Sequence, residues 1–554
     1  MMRVQIEEAV AHALTALGAP EASFTVSASR PEHGDYSTNA ALVAAKLLGQ
    51  SPQDLAQRIA GALHEELPFA ERIEVAGGGF VNVHLSRETF SEHLQQILSS
   101  GKEWGKGNHL TGQRIIVEYA QPNPFKPFHI GHLMSTAVGE AVSRLVENAG
   151  AHVFRANYQG DVGPHVAKCL WGLKKEGLDP RSVEDLGRAY VIGTEAYEHS
   201  PEAKGEMDEI NKALYGGGSE WREVYAAGRE TSLQHFEGIY RMLDTRFDRY
   251  FFESEVAPAG THMVAEGLAR GVFEESDGAV VYRGEKHGLH TRVFLTSHGT
   301  PTYEAKELGL ARAKQEAFPF DRNITTVAVE QDGYFKVVER ALAELIPELE
   351  GKYGHLTFGL LQLASGKMSS RKGNVITGES LIEDMRQKAL QKMEERGSVP
   401  KEIATAVATA AIKYSILKQA RGKNIIFDPE KSLSFEGDSG PYLQYAHVRA
   451  CAILRRARAE DRPASLDRPS PLSLVERLLV HFPDVALRAA REFEPHYVAT
   501  YLIELAGAFN SWYAAERVID DTPESGYKLA VVDAFRATTE RGLWLLGIGA
   551  PEEM

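Results

Sequence analysis

Two cysteines in 554 residues, Cys169 and Cys451, are too few for a disulfide framework or a cysteine-based zinc cluster. Two free thiols suit a reducing compartment, so a cytoplasmic protein is expected. No run of 18 apolar residues occurs, so no membrane helix and no membrane partner are expected. The start, Met1-Met2-Arg3-Val4-Gln5-Ile6-Glu7-Glu8, lacks the apolar core of a signal peptide. Repeats and low-complexity segments are missing too. Positive charge is scarce, with 61 Lys and Arg against 76 Asp and Glu, a net of −15. That total argues against a nucleic-acid partner, but the charge is uneven. Residues 413–458 hold 9 basic against 4 acidic residues, a net of +5, and local patches decide such contacts. The remaining composition, 43% hydrophobic and 25% charged, is ordinary for about three globular domains.

What is present is organised around residues 127–150. Pro127-Phe-His-Ile-Gly-His-Leu-Met-Ser-Thr136 leads into a helix. Its Met134, Ala137, Val138, Ala141 and Leu145 recur at steps of three and four, one apolar face. Gly150 is placed to end that helix in a left-handed cap. Residues 114–119 are apolar and β-branched, a buried strand, and 152–157 read as the next strand. His129-Ile130-Gly131-His132 therefore sits where a strand hands over to a helix N-terminus. There, free backbone N–H groups and the helix dipole face an anion. The two imidazoles share one side of the first turn and can donate to phosphate oxygens. Gly131 lets a ligand approach the backbone, and Lys126 adds a cation nearby. Capping or surface packing is the plainer reading of the two histidines.

A second stretch lies far along the chain. Gly366-Lys367-Met368-Ser369-Ser370-Arg371-Lys372-Gly373-Asn374 puts three cations, two hydroxyls and two glycines into nine residues. That composition suits a mobile loop closing over a triphosphate, with Lys as point charge, Ser and backbone N–H as donors, and Gly as hinge. A solvated basic loop is the plainer reading here.

Together the two stretches resemble the His-Ile-Gly-His and Lys-Met-Ser-Lys-Ser signatures of class I aminoacyl-tRNA synthetases, in the right order. Ser370 departs from the pattern, standing where a second Lys is usual. Glu118-Tyr-Ala-Gln-Pro-Asn123-Pro-Phe-Lys126-Pro-Phe-His129 and Thr302-Tyr303-Glu-Ala-Lys-Glu307-Leu-Gly309 resemble the arginyl-tRNA synthetases in particular. The resemblance implies that His129, His132, Lys367 and Lys126 act on ATP, with Gly131, Met368, Ser369, Ser370, Arg371 and Lys372 at its binding site. It implies an arginine pocket in which Glu118 and Asn123 hold the amino end, Tyr303 and Glu307 face the guanidinium, and Gln331 lines the wall. Arginine is a planar cation with five donors, so carboxylates and flat polar groups are the right chemistry. The family usually has Asp where Glu307 stands. In Asn157-Tyr-Gln-Gly-Asp161-Val-Gly163, the glycines allow close approach and Asp161 can accept from an amino group or a ribose hydroxyl. By resemblance Asn157, Gly160 and Asp161 border the aminoacyl-adenylate; a plain strand-end turn stays open.

The resemblance covers essentially the whole chain and implies an α/β fold. Residues 109–400 form a class I Rossmann-type, doubly wound catalytic core with a helical insertion at about 170–275. Residues 1–108 form an α+β N-terminal domain, carrying His33-Gly-Asp-Tyr-Ser-Thr-Asn39 and a glycine turn near 77–79. In the family that domain contacts the outer corner of tRNA. Residues 401–554 form an all-α helical bundle for the anticodon, by resemblance through Gly440-Pro-Tyr-Leu-Gln-Tyr445, Asp484-Val-Ala-Leu-Arg488 and Ala508-Phe-Asn-Ser-Trp-Tyr513. Tyr442, Tyr445 and Arg449 share one helix face, which suits either single-stranded RNA or core packing. The expected function is ATP-dependent activation of L-arginine and its transfer to tRNA(Arg). Mg²⁺ is expected to travel with ATP, without a tightly bound protein metal, and the protein is expected to be a monomer. An adenylate-forming ligase without tRNA and a non-catalytic RNA-binding relative are the alternatives.

Overall fold

The computed structural model describes residues 2–215, 219–364, 377–394 and 400–554. Its centre is a five-stranded sheet in the order Tyr353–Phe358, Arg322–Ala328, Arg114–Glu118, His152–Gln159, Arg249–Phe252, parallel throughout. Arg114–Glu118 takes the middle because Ile115, Ile116 and Val117 are buried on both faces. The chain leaves it in both directions, so its C-terminal end is the switch point where such sheets bind ligands. The helix Ile130–Asn148 follows directly, capped by Ala149 with Gly150 left-handed at φ 98°. It lies close on the sheet at Gly139, where a Cβ would come 2.2 Å from the Tyr119 ring.

A second sheet stands beside this core, and one expectation for the core changes. Residues 279–282 and 291–295 do not join the parallel sheet. Residues 279–282 pair with both Glu274–Ser276 and Arg292–Leu295 in a separate three-stranded antiparallel sheet, because turn residues such as Gly278 (φ 78°) fold these short strands on one another. The expected insertion, in turn, contains a core strand, Arg249–Phe252, hidden in the sequence between long polar helices.

The N-terminal region packs four helices, Met2–Ala16, Ala40–Leu48, Pro52–Glu66 and Arg87–Ser100, around a four-stranded antiparallel sheet with its own core. Gly77 (φ 55°) and Gly79 (φ 128°) make the expected turn between two of its strands. The C-terminal region is a bundle of helices, among them Lys401–Leu417, Gly440–Ala459, Leu474–Glu492, His496–Ala515 and Ser525–Leu545. Its core is continuous with that of the catalytic sheet. No helix among the described residues is long and apolar enough to cross a membrane.

Two motifs far apart in sequence meet where these outer regions touch. Tyr36 Oη donates to Asp484 Oδ2 at 2.8 Å, and its ring packs edge-on against His481 at 4.9 Å. Asp35 pairs with Arg477 and accepts from Leu85 N–H at 2.8 Å. The residues at 33–39 thus form a joint onto the helix that carries 484–488. Burial pushes the Asp484 carboxyl up to about 6. A carboxyl raised on folding contributes stability below its unfolded value and loses it as pH rises through its folded value. Asp484→Asn keeps an acceptor for Tyr36 and removes the charge. Urea unfolding should therefore find the variant more stable above pH 6, by about 1–3 kcal/mol, and level with the parent near pH 4.

Candidate active site

The loop between Arg114–Glu118 and Ile130–Asn148 holds three non-glycine residues in the left-handed region: Ala120 (φ 70°), Gln121 (φ 54°) and Phe125 (φ 65°). Each such residue costs about 1–3 kcal/mol. Anchors fix the loop nonetheless. Ala120 N–H donates to Ser135 Oγ and Phe125 N–H to Ser232 Oγ, both at 3.0 Å, and Phe125 and Phe128 are buried.

This loop delivers His129 as the N-cap of Ile130–Asn148. Gly131 N–H donates to His129 Nδ1 at 3.1 Å, and His129 N–H donates to His132 Nδ1 at 3.2 Å. The rings stack, with centroids 3.5 Å apart. A neutral imidazole that accepts at Nδ1 carries its proton on Nε2. Both histidines therefore cap the helix with one nitrogen and keep an Nε2–H for something else. Burial lowers both imidazoles from their ordinary range; Lys126 adds to this at His129, while His129 and Lys126 push His132 well below it. The site offers two neutral donors. Lys126 is half-buried, its ammonium lowered first by burial and then by Lys168, and its Nζ lies 5.8 Å from the Tyr190 ring centroid.

Thr377 bridges to His129 in antiparallel fashion, and Gly378 N–H donates to Phe128 O at 2.7 Å. The chain thus returns to the histidines immediately after residues 365–376. Lys367, Met368, Ser369, Ser370, Arg371 and Lys372 lie outside the described residues.

Carboxylates and tyrosines gather beside the end of the central strand. Glu118 forms a buried ion pair with Lys314 and accepts from Gln121 Nε2 at 2.6 Å. Glu253 pairs with Lys306 at 2.6 Å, and Glu304 with Arg292 at 3.7 Å. Two helices bring these groups together, Glu253–Ala269 and Tyr303–Ala317. They touch through glycines: a Cβ on Gly260 would come 2.0 Å from Ala305 O, and one on Gly309 2.2 Å from Val256 O. Glu307 is different. Among the described residues no ion pair or hydrogen bond reaches its carboxylate, whose pKa is raised by burial first and by Glu118 next, against a smaller pull from Lys314. Burial raises the hydroxyls of Tyr158, Tyr334 and Tyr353, and carboxylates add to it: Glu253 and then Glu307 at Tyr158, Glu307 first at Tyr334, and Glu118 and then Glu307 at Tyr353. The hydroxyls of Tyr158 and Tyr353 are buried without a partner among the described residues. Tyr303, 62% exposed, stands at the rim.

The remaining expected residues divide. Asn123 Oδ1 accepts from Gly160 N–H at 2.9 Å, and a Cβ on Gly160 would lie 2.9 Å from both Asn123 Oδ1 and Glu253 Oε1. Asn123, Gly160 and Glu253 therefore converge. Asn157 is fully buried and donates to Tyr240 Oη at 2.9 Å, so it packs behind the site. Asp161 does not keep a free oxygen for a ligand. Tyr225 Oη, Arg229 Nε and the N–H and Oγ of Ser254 all donate to it, at 2.7–3.2 Å. Its burial beneath the insertion makes those donors its natural partners. Gln331 is exposed in the turn before Asp332–Leu345; Tyr334, three residues on, is the side chain that helix turns toward Glu307. No group of three or more His, Cys, Asp or Glu among the described residues could hold a metal ion.

Residues 93–429 match the family model "tRNA synthetases class I (R), catalytic domain". Residues 4–85 match "Arginyl tRNA synthetase N terminal domain", and 443–554 match "DALR anticodon binding domain". Curated relatives include arginine–tRNA ligase 1 of Bacillus cereus, 33% identical over 519 residues, and the arginine–tRNA ligase of Streptococcus thermophilus, 34% identical over 525 residues. Each match covers 92% of both chains. The solved arginyl-tRNA synthetase of Thermus thermophilus superposes with a TM-score of 0.84 at 29% identity, over 100% of both chains. This chain belongs to the arginyl-tRNA synthetases. It is a class I ligase that charges tRNA(Arg) with arginine and takes ATP as a substrate.

In this arginyl-tRNA synthetase the aromatic and basic face of the C-terminal bundle is an assembled surface. Ser439 caps Gly440–Ala459 by accepting from Tyr442 N–H at 3.1 Å. Asn510 Nδ2 donates to Tyr442 Oη at 2.9 Å, and Arg449 donates to Asn510 Oδ1. The Arg449 guanidinium lies 4.9 Å from the Tyr445 ring centroid and 5.7 Å from that of Tyr513. Sequence reasoning missed Glu253, Lys306, Lys314, Tyr158 and Tyr334. The one available signal was the pair of lysines on the Tyr303–Ala317 helix, eight residues apart and hence on one side of it.

Proposed function

We propose that the carboxylate of Glu307 receives the guanidinium of L-arginine, while the Nε2–H groups of His129 and His132 receive the phosphates of ATP. The isolation of Glu307 carries this reading. Its neighbours Glu118, Glu253 and Glu304 each have a cation, whereas the half-buried Glu307 pairs with none among the described residues. A carboxylate partly withdrawn from water gains most from a cation, and a guanidinium pairs with it through two parallel hydrogen bonds. Tyr303 closes the rim. Asn123 and Glu118 lie toward the amino end, with Gly160 leaving room beside them. Asn157 and Asp161 support the wall.

The arginine carboxylate then attacks the α-phosphate, giving arginyl-adenylate and pyrophosphate. No protein nucleophile is needed; positioning and charge stabilisation do the work. Neutral imidazoles donate to phosphate oxygens as negative charge grows on them. Lys126 adds positive charge from the same loop. Lys367, Arg371 and Lys372 serve the leaving pyrophosphate, with Met368, Ser369 and Ser370 in the same segment, a reading from sequence. Mg²⁺ arrives with ATP as part of that substrate. A ribose hydroxyl of the tRNA's terminal adenosine, the 2′-OH in this class, attacks the activated carbonyl.

Around this centre, residues 1–108 take the outer corner of tRNA, 109–400 carry catalysis, and 401–554 read the anticodon, with Tyr442, Tyr445, Arg449 and Tyr513 as its stacking and phosphate face. The protein works as a cytoplasmic monomer, a placement that its two free thiols support. Total tRNA offered each of the twenty radiolabelled amino acids with ATP tests the pocket. Charging by arginine alone is the expected result. Charging by another amino acid would discard the assignment of Glu307.

A further inference from the structure

The ion pair between Glu253 and Lys306 lies inside the pocket just described. Lys306 Nζ is 2.6 Å from Glu253 Oε2, with both side chains 7% exposed. It also donates to Tyr215 Oη at 3.3 Å, and lies 5.2 Å and 5.8 Å from the ring centroids of Tyr303 and Tyr215. One carboxylate and two aromatic rings around an ammonium make up a site of the kind that binds a free alkylammonium. Here the occupant is tethered, so its effective concentration far exceeds that of any free amine. Glu307, next along the helix, keeps both oxygens unpartnered among the described residues. Two free carboxylate oxygens suit a planar fork of donors better than a point charge.

We propose that Lys306 is a specificity residue that fills an alkylammonium subsite with the protein's own ammonium, leaving only the Glu307 subsite, which favours a guanidinium. A lysine or ornithine side chain then finds its best place taken. This inference rests on reading Glu307 as the guanidinium acceptor.

Inhibition of arginine-dependent pyrophosphate exchange by L-lysine is the readout. Lys306→Ala empties the subsite and frees Glu253, so the Ki of L-lysine should fall by about tenfold or more, the scale of one charge-assisted contact regained. Lys306→Arg keeps a cation against Glu253 and should keep lysine out. Ethylammonium chloride should raise the lysine Ki again in Lys306→Ala by refilling the subsite, a rescue that a merely structural ion pair would not give. Urea midpoints report folding; should Lys306→Ala not fold, Lys306→Gln, which still donates to Glu253 without charge, carries the same comparison. An unchanged lysine Ki in every folded variant without a cation at 306 overturns the proposal. Glu307→Gln separates the two readings. If it leaves the arginine KM unchanged, the pocket assignment itself has failed. If it raises that KM while the lysine Ki stays fixed in the Lys306 variants, only this inference has failed.

Discussion

Glu307→Gln is expected to raise the KM for arginine by about 10²-fold, the loss of one buried charge pair at roughly 3 kcal/mol, while the KM for ATP changes far less. Gln keeps the shape and loses the charge, so the guanidinium would face a neutral amide in a tyrosine-lined pocket. The pH dependence gives a second signature. Burial, and then Glu118, raise the carboxyl of Glu307 in the empty pocket. The guanidinium needs the ionised form, so binding must expel a proton wherever the carboxyl is protonated beforehand. The arginine KM should therefore fall as pH rises toward the raised value and level off above it, steepening to tenfold per pH unit on the acid side. Glu307→Gln has no such group, and its arginine KM should be flat over the same range. Glu307→Asp, which keeps the charge on a shorter side chain, should keep the slope whatever it does to the reach. Exchange of pyrophosphate into ATP, measured with tRNA present from pH 6 to 9, decides the matter. Equal rises in both KM values would place arginine elsewhere.

The contrast between Glu307 and Gln331 shows how far the sequence could be read. Tyr303 and Glu307 are four apart, so a helix was enough to put them on one side, and the structure supplies that helix. Gln331 lies in a turn, where no periodicity says which way a side chain goes, and it is exposed while Tyr334 faces the pocket. Asp161 has internal partners that the sequence does not announce. A carboxylate beside two glycines reads as a ligand acceptor, but its four donors come from Tyr225, Arg229 and Ser254, distant in sequence and brought over it only by the insertion and the next helix. The core strand Arg114–Glu118 and the helix after it were legible because both patterns are local and strongly apolar. The edge strand Arg249–Phe252 was not, being four residues long and next to a 21-residue helix that dominates any reading window. The joint between residues 33–39 and Asp484 was likewise out of reach: each half was visible as a motif, but only the fold pairs Tyr36 with Asp484.

His132→Ala is expected to lower the rate of adenylate formation by about 10²–10³-fold, the usual cost of removing one preorganised transition-state donor. The competing reading is that the two histidines only cap their helix, since Gly131 N–H and His129 N–H both donate to them. The magnitudes separate the two. A lost cap costs about 1 kcal/mol of stability, whereas a lost phosphate donor raises the barrier by about 3–4 kcal/mol and leaves folding nearly untouched. His129→Asn sharpens the comparison. Asn caps well but is shorter than His, so it should preserve the urea midpoint while still slowing the reaction. Single-turnover adenylate formation and urea unfolding, measured on the same preparations, give both quantities. If either variant lost no more activity than its stability loss explains, the histidines would be caps alone. The phosphates of ATP would then have to be held mainly by cations, Lys126 first among the described residues. A large loss of rate at an unchanged midpoint would instead assign the two ring nitrogens separate tasks: Nδ1 holds the helix end in place and Nε2–H meets the charge that forms there.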